Sequence, residues 1–498
     1  MCQVIRTRSI WYALLRYSVL VFTVWIATYC HAQAVWNNTS FVHRFGQQVV
    51  DGQNDPVRLN GLNLGGWLMW EGWIWGGGYT QQKSIYNNIE SIVGTAAAEA
   101  FKDSVYKNFI TRADIEKISQ ECYNVVRIPF NHSLLEDDLF PYIYKPEGWE
   151  VLDSVLKWCE DYNVYAVLDL HAAPGGQNSG FISDPDFLIN LWNSASNQKR
   201  TKRLWKAIAD RYKDRGIIAG YDLLNEPNLA NDTQMVELYN DIIDSVRLVD
   251  NNHMIFLEGN NYAADFDMFT TLPDPNVCFE FHFYTWFFPN AIAEHLQPYT
   301  EFSDSVNAPI WCGEWGENNE EQLQTTLTAF NDPMFKVSGN AFWTWKKMKE
   351  TSSSYPYYNG IEQNEAWQAS IDWVGNAFLP QPTASEMQEG IDAFIHNIKL
   401  ENCTFNESVS EILHECIPIT TEKQSIENCV IAFPNPFTDH ITINSAGPFE
   451  LISLTDATGH LLWSGQKMAE CDLSSSPAGS YFLMIKTMAS IQNIMLVK

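Results

Sequence analysis

Two glutamates each close an apolar run: Glu226 in Leu224-Asn225-Glu226-Pro227 and Glu314 in Trp311-Cys312-Gly313-Glu314-Trp315-Gly316. Two carboxyl groups facing each other across a cleft can hydrolyse a glycosidic bond. One protonates the leaving oxygen, and the other acts from the opposite side of the anomeric carbon. At a separation of roughly 5 Å the second carboxylate attacks directly, and the reaction retains configuration through a covalent glycosyl-enzyme. Glu226 suits the acid/base role and Glu314 the nucleophile. Arg127, His171, Asn225, His282, Tyr284 and Trp343 stand at the ends of the same and other apolar runs. Any one of these is ordinarily a satisfied buried group, but the repetition over independent runs points to a shared site.

The elements that must bring these positions together are short apolar runs, each followed by a longer amphipathic stretch. Eight runs read as strands: 58–64, 124–130, 164–171, 218–226, 254–258, 277–284, 309–314 and 340–345. Helices are expected between them, for example over 112–121, 150–161, 202–214, 233–249 and 320–331, with another at 383–400. Strand and helix alternating eight times predict an α/β fold, a (β/α)8 TIM barrel, whose strand ends meet on one face. Residues more than 200 positions apart would then line one pocket.

The chain has 498 residues and is 46% hydrophobic and 14% aromatic, enough for one large core and a small appended domain. Residues 1–34 read as a signal peptide: a basic stretch from Arg6 to Arg16, an apolar run from Tyr17 to Ile26, and Ala32-Gln33-Ala34. Removing its three arginines takes the formal charge from -29 to -32, which excludes nucleic acid and anionic lipid as partners and permits neutral sugars. Eight cysteines remain after Cys2 and Cys30 are set aside. Cys122, Cys159, Cys278 and Cys312 lie in or beside apolar segments and are expected as free thiols, whereas Cys403, Cys416 and Cys429 could supply one disulfide. No CxxC pair or histidine ligand spacing calls for a metal, and the chemistry needs no cofactor.

A catalytic barrel over 35–400 would be followed by a polar linker over 401–429 and, over 430–498, by a small all-β, sandwich-like C-terminal domain. Short runs at 441–443, 449–454, 461–463, 480–485 and 494–497, separated by Gly and Asp turns, are its expected strands.

The motifs Asn63-Leu64-Gly65-Gly66-Trp67-Leu68, Arg127-Ile128-Pro129, His171-Ala172-Ala173-Pro174-Gly175-Gly176-Gln177-Asn178, Asn225-Glu226-Pro227, His282-Phe283-Tyr284 and Gly313-Glu314 come in an order that resembles glycoside hydrolase family 5, within it the exo-β-1,3-glucanase-like group. The resemblance covers about residues 40–398. It implies that Arg127 keeps Glu314 ionised and that Glu226 retains a proton to donate. It further implies that Asn225 binds the sugar 2-hydroxyl, that His171 and His282 line the same subsite, and that Tyr284 orients the nucleophile. Trp343 is the expected stacking platform. Trp345 competes for that role, because strand alternation over Phe342-Trp343-Thr344-Trp345 would send both indoles to one side.

Glu71, in Trp67-Leu68-Met69-Trp70-Glu71, matches an acid that binds hydroxyls at the closed end of the cleft in exo-acting relatives. The implied function is retaining hydrolysis of a β-linked glucan, exo-β-1,3-glucanase-like. The alternatives are an endo-β-1,4-glucanase, β-mannanase or β-1,6-glucanase on the same barrel, or a glycan-binding protein without catalysis. Trp67, Trp70, Trp73, Trp75, Tyr79, Trp286, Phe287 and Phe288 are either sugar platforms or loop anchors.

In the tail, Phe433-Pro434-Asn435-Pro436-Phe437, Asp456-Ala457-Thr458-Gly459 and Pro477-Ala478-Gly479-Ser480-Tyr481 resemble the C-terminal sorting domain of the type IX secretion system. This implies that the secretion machinery is a partner and that the protein, expected as a monomer, is exported to the cell surface or beyond.

Overall fold

The computed structural model describes residues 41–186, 191–228, 231–286, 288, 291–349 and 356–415, together with strands between 430 and 497. The expected signal peptide lies outside them. The chain divides into two compact units, residues 1–417 and 418–498.

The first unit is a closed barrel of eight parallel strands paired in chain order: β1 (Leu59–Asn63), β2 (Val125–Asn131), β3 (Tyr165–Ala172), β4 (Ile218–Asp222), β5 (Met254–Glu258), β6 (Val277–Phe283), β7 (Ile310–Trp315) and β8 (Val337–Phe342). Each overlaps a run expected as a strand. β8 differs most: it starts and ends three residues earlier than the expected run. The helices α1 (Gln82–Val93), α2 (Thr95–Asn108) and α3 (Arg112–Gln120) precede β2. The next five, α4 (Pro146–Tyr162), α5 (Ala195–Tyr212), α6 (Asp232–Arg247), α7 (Ile292–Val306) and α8 (Glu320–Asn331), follow β2, β3, β4, β6 and β7. Three more follow β8: α9 (Glu365–Gly375), α10 (Ala384–Asn397) and α11 (Glu407–Glu415).

Period-two alternation sends every second strand residue into the barrel, and the interior is layered accordingly. Val125, Val167, Phe256 and Cys278 belong to an apolar layer with Val42 and Val49 of the N-terminal hairpin. Two residues further along the same strands come Arg127, Asp169, Glu258 and Glu280, all fully buried. Two further again on β3 and β6 come His171 and His282. Charge in mid-strand is thus confined to the layer beneath the carboxyl-terminal mouth.

The stretch expected as a linker from 401 opens with structure that belongs to the barrel unit. Thr404–Phe405 pairs with the strand Asn359–Ile361, and α11 packs with Val409 and Leu413 in the core. Those two apolar residues, four apart on one helix face, give this segment something to bury. In the second unit, Val430–Phe433, His440–Ser445 and Glu470–Asp472 form a three-stranded antiparallel sheet. Phe449–Asp456, Leu461–Gly465, Ser480–Thr487 and Ile491–Val497 form a four-stranded one.

Cys122, Cys159, Cys278, Cys312 and Cys403 are free thiols. Cys403 Sγ lies 3.5 Å from the Asn397 carbonyl and 3.4 Å from that of Lys399, so it is in no disulfide. The side chains of Cys416 and Cys429 are outside the described residues.

Candidate active site

Arg127 is the hub of the barrel mouth. Its guanidinium reaches Asp222 at 2.7 Å, Glu280 at 2.8 Å, Asp169 and Glu258 at 3.0 Å, and Glu314 at 3.5 Å. It also donates to Asn225 Oδ1 at 2.8 Å and Asn63 Oδ1 at 3.2 Å. One cation cannot balance five carboxylates at low dielectric. Burial, with the neighbouring carboxylates, accordingly lifts Asp169 and Asp222 well above the usual carboxylate range, against the pull of Arg127. Glu258 is pushed up to about 8 by burial, with His282 opposing and Asp222 adding. The sequence expectation that Arg127 serves Glu314 needs enlarging, because Glu314 is the most distant of its five partners. Burial raises Glu314, His282 lowers it, Glu226 raises it and Arg127 lowers it, with a net upward shift.

Asp169, Asp222, Glu258 and Glu280 were not singled out in the sequence. The available signal was an acid inside an apolar strand, as in Phe279-Glu280-Phe281, where an unpaired charge is prohibitively costly. Gly313 belongs to the same account: a Cβ there would meet Glu280 Oε1 at 1.6 Å, so only glycine leaves room for this carboxylate beside Glu314.

Glu226 and Glu314 come together at the mouth. One carboxylate oxygen of each and a nitrogen of His282 lie within 4.8 Å of one another. His282 Nδ1 stands 2.7 Å from Glu226 Oε1 and 3.8 Å from Glu314 Oε2. Its Nε2 stands 3.4 Å from Glu258. Burial alone would depress the imidazole, but Glu258, Glu314 and Glu226 outweigh it and raise His282 well above its ordinary value. The Tyr284 hydroxyl donates to Glu314 Oε1.

Glu226 adopts a left-handed backbone, φ 46°, unusual for a side chain of its size. Its N–H donates to Glu258 Oε2 at 2.6 Å, and its carbonyl accepts from Asn178 Nδ2 at 2.9 Å. Gln177 Nε2 donates to the carbonyls of Asn225 at 2.8 Å and His171 at 2.7 Å. The Gln177-Asn178 pair of the β3 loop thereby fixes the backbone of Asn225-Glu226.

His171 stacks on Trp343 with centroids 5.6 Å apart and planes 11° from parallel. Its Nδ1 is 2.7 Å from Asp169, and burial together with Arg127 drives it down to about 3, so it is neutral at physiological pH. Trp343 and Trp345 do not share a side. β8 ends at Phe342, so alternation stops before either indole, and Trp345 turns away to donate to Asp114 at 2.9 Å behind the barrel wall. Glu71 is a buried acid at the mouth: Trp73 Nε1 donates to its Oε2 at 2.7 Å, while Oε1, 3.9 Å from His171, has no hydrogen-bond partner among the described residues. Burial pushes Glu71 up to about 8, with Glu314 and Glu226 adding to it against the Trp73 bond.

Most of the mouth aromatics are anchors. Trp67, Trp70 and Trp75 are fully buried, and each indole N–H is taken by a backbone carbonyl. Trp286 leans on Tyr284 at 4.4 Å, Phe288 packs on His295, and Tyr79 is exposed against Phe181. Phe287 lies outside the described residues. Glu317, not anticipated, ties the β6 and β7 loops by accepting from the hydroxyls of Thr285 at 2.7 Å and Thr326 at 2.8 Å.

Residues 66–358 match the cellulase family, glycosyl hydrolase family 5, and residues 431–498 match the secretion system C-terminal sorting domain. Among relatives, the chain is 34% identical over 289 residues to a beta-xylosidase of Phanerodontia chrysosporium, covering 54% of this chain and 60% of that protein. It is 24% identical over 344 residues to endoglucanase C of Acetivibrio thermocellus, covering 58% and 91%. It is 29% identical over 289 residues to probable glucan 1,3-beta-glucosidase A of Aspergillus clavatus, covering 53% and 66%. The chain thus spans less than two thirds of the first and third of these. With more than half of its residues inside the family match, the chain belongs to glycosyl hydrolase family 5, a family of retaining glycoside hydrolases, and carries a C-terminal sorting domain.

Proposed function

We propose that this protein hydrolyses β-linked glucan by double displacement, with Glu226 as acid/base and Glu314 as nucleophile. The observation that carries the reading is the carboxyl pair within 4.8 Å, each member held by a different donor, His282 or Tyr284. That spacing suits direct attack and leaves no room for an intervening water, as inversion would require.

In the first step Glu314 attacks the anomeric carbon while the leaving oxygen takes a proton from the His282/Glu226 pair. The Tyr284 hydroxyl and the Arg127 guanidinium stabilise the attacking carboxylate. Once Glu314 is esterified its charge is gone. The pair can then accept a proton from water, which attacks the glycosyl-enzyme and releases the sugar with its configuration retained. Asn225, held by Arg127 and adjacent to Glu226, binds the 2-hydroxyl, and His171 and Trp343 wall the same subsite.

The substrate reading within this class is exo-β-1,3-glucanase-like. Glu71 favours it: a buried carboxyl with one oxygen fixed by Trp73 and the other unpartnered can grip the terminal hydroxyls of a chain end. Product analysis on laminarin, carboxymethyl cellulose, mannan and pustulan tests this. Glucose as the first product from laminarin supports it, and exclusive release of oligosaccharides overturns the exo assignment. The signal peptide and the tail together would deliver the enzyme to the cell surface or beyond, with the tail taking no part in catalysis.

A further inference from the structure

A cavity of about 930 Å³ lies on the flank of the barrel, between α1 and α2 on one side and the segment from Ser133 into α4 on the other. That is at the upper end of the range of roughly 300 to 1,000 Å³ seen for small-ligand pockets. None of Arg127, His171, Asn225, Glu226, His282, Tyr284, Glu314 or Trp343 lines it. It nevertheless shares a loop with the carboxyl pair, because Trp67 and Trp70 line the cavity and the next residue, Glu71, is the buried acid of the mouth.

The chemistry of the wall narrows the occupant. Tyr86, Tyr106 and Trp158, all partly exposed, supply aromatic surface, and the fully buried Trp67 and Trp70 back the wall. Trp158 is only partly buried, and its indole N–H donates to no described residue. The Tyr106 hydroxyl likewise has no hydrogen-bond partner among them. Two partly exposed rings with free donors, Trp158 and Tyr106, suit a molecule with apolar ring faces and equatorial hydroxyls, whereas the Tyr86 hydroxyl is already given to Glu99. The charges argue against an anion. Four lysines face six carboxyl groups, and Lys83, Lys102 and Lys145 already stand against Asp186, Glu99 and Asp137.

We infer that this cavity is a second binding site, separate from the carboxyl pair, for an uncharged gluco-oligosaccharide. It would hold a remote part of a polysaccharide, or a neighbouring chain of it, while the mouth acts on a chain end. The inference does not depend on the hydrolytic reading, since binding here uses none of the residues that reading invokes.

The test is calorimetric titration of the full chain carrying Glu314→Gln, which keeps the probe intact, with β-1,3- and β-1,4-linked glucose hexasaccharides. Two classes of site are expected, and adding Trp158→Ala should weaken one of them about tenfold and leave the other unchanged. In the chain with native Glu314, Trp158→Ala should leave kcat/KM on an aryl β-glucoside unchanged and raise KM on the polysaccharide about tenfold. If Trp158→Ala does not fold, Tyr106→Phe with Asn87→Ala on the rim provides the same comparison. A single class of site, two classes indifferent to these substitutions, or capture of a sulfated oligosaccharide in preference to the neutral ones overturns the inference. Loss of turnover on every glycoside with the second site intact would count against the hydrolytic reading alone.

Discussion

His282 Nδ1 lies 2.7 Å from Glu226 Oε1, and the same ring's Nε2 lies 3.4 Å from Glu258. The imidazole thus joins the carboxyl of Glu226 at the mouth to the buried carboxylate cluster around Arg127. Its raised proton affinity comes from that position, since carboxylates face it from the loop after β4, from β5 and from β7 and overcome the cost of burial. The carboxylates below thus keep a proton on His282, 2.7 Å from Glu226 Oε1.

Replacing either member of the carboxyl pair should separate the two half-reactions. Glu314→Gln should lower kcat/KM on aryl β-glucosides by at least about a thousandfold with any leaving group. Glu226→Gln should cost roughly 10²–10⁴ on poor leaving groups. On an activated aryl glucoside it should give a burst followed by slow turnover, as the glycosyl-enzyme accumulates. Stopped-flow kinetics checks this, and equal losses for both leaving groups in the Glu226 variant would contradict its role.

The carboxylate cluster makes a prediction about stability. Burial raises Asp222 well above the usual range, so its charge is less essential than that of Arg127, and Asp222→Asn should cost less unfolding free energy than removing the arginine. Arg127→Met strands buried carboxylates and should cost on the order of 3–5 kcal/mol or prevent folding. Urea denaturation at neutral pH distinguishes the two, and a severe loss for Asp222→Asn would show that the cluster depends on that charge.

Glu71 makes stability depend on pH in a defined direction. Its folded value of about 8 exceeds the ordinary 4.5, so its contribution is complete below about pH 4.5 and is lost as pH rises towards 8. Glu71→Gln cannot ionise. Relative to the native protein, its Tm should therefore rise between pH 5 and pH 8, corresponding to on the order of 1.4 kcal/mol per pH unit crossed. Parallel Tm curves for the two proteins would overturn this.

Gly65→Ala tests the seating of Trp343. A Cβ at position 65 would meet the Trp343 ring at 2.7 Å, so the indole must move off its stack with His171. Activity on aryl β-glucosides should fall about tenfold or more. Unchanged kinetics would remove Trp343 from the subsite.

Much of this architecture is legible in the chain itself. Each of the eight barrel strands overlaps an apolar run of about the right length, because a strand buried on both faces must be apolar nearly throughout. The residues that end those runs must lie at the mouth once the barrel closes, so Glu226, Glu314, His282 and Tyr284 could be named from order alone. What the tertiary structure decided is how their charges are shared. Arg127 reaches Asp222, Glu258 and Glu280 across separations of 95, 131 and 153 positions, and no local pattern tells a buried acid with an arginine partner from one without. The proton affinities of Glu314, Glu258 and Glu71 depend on desolvation, which exists only after packing. The division between Trp343 at the site and Trp345 behind the wall depends on where β8 stops, and hydrogen bonds to neighbouring strands settle that, not the two tryptophans.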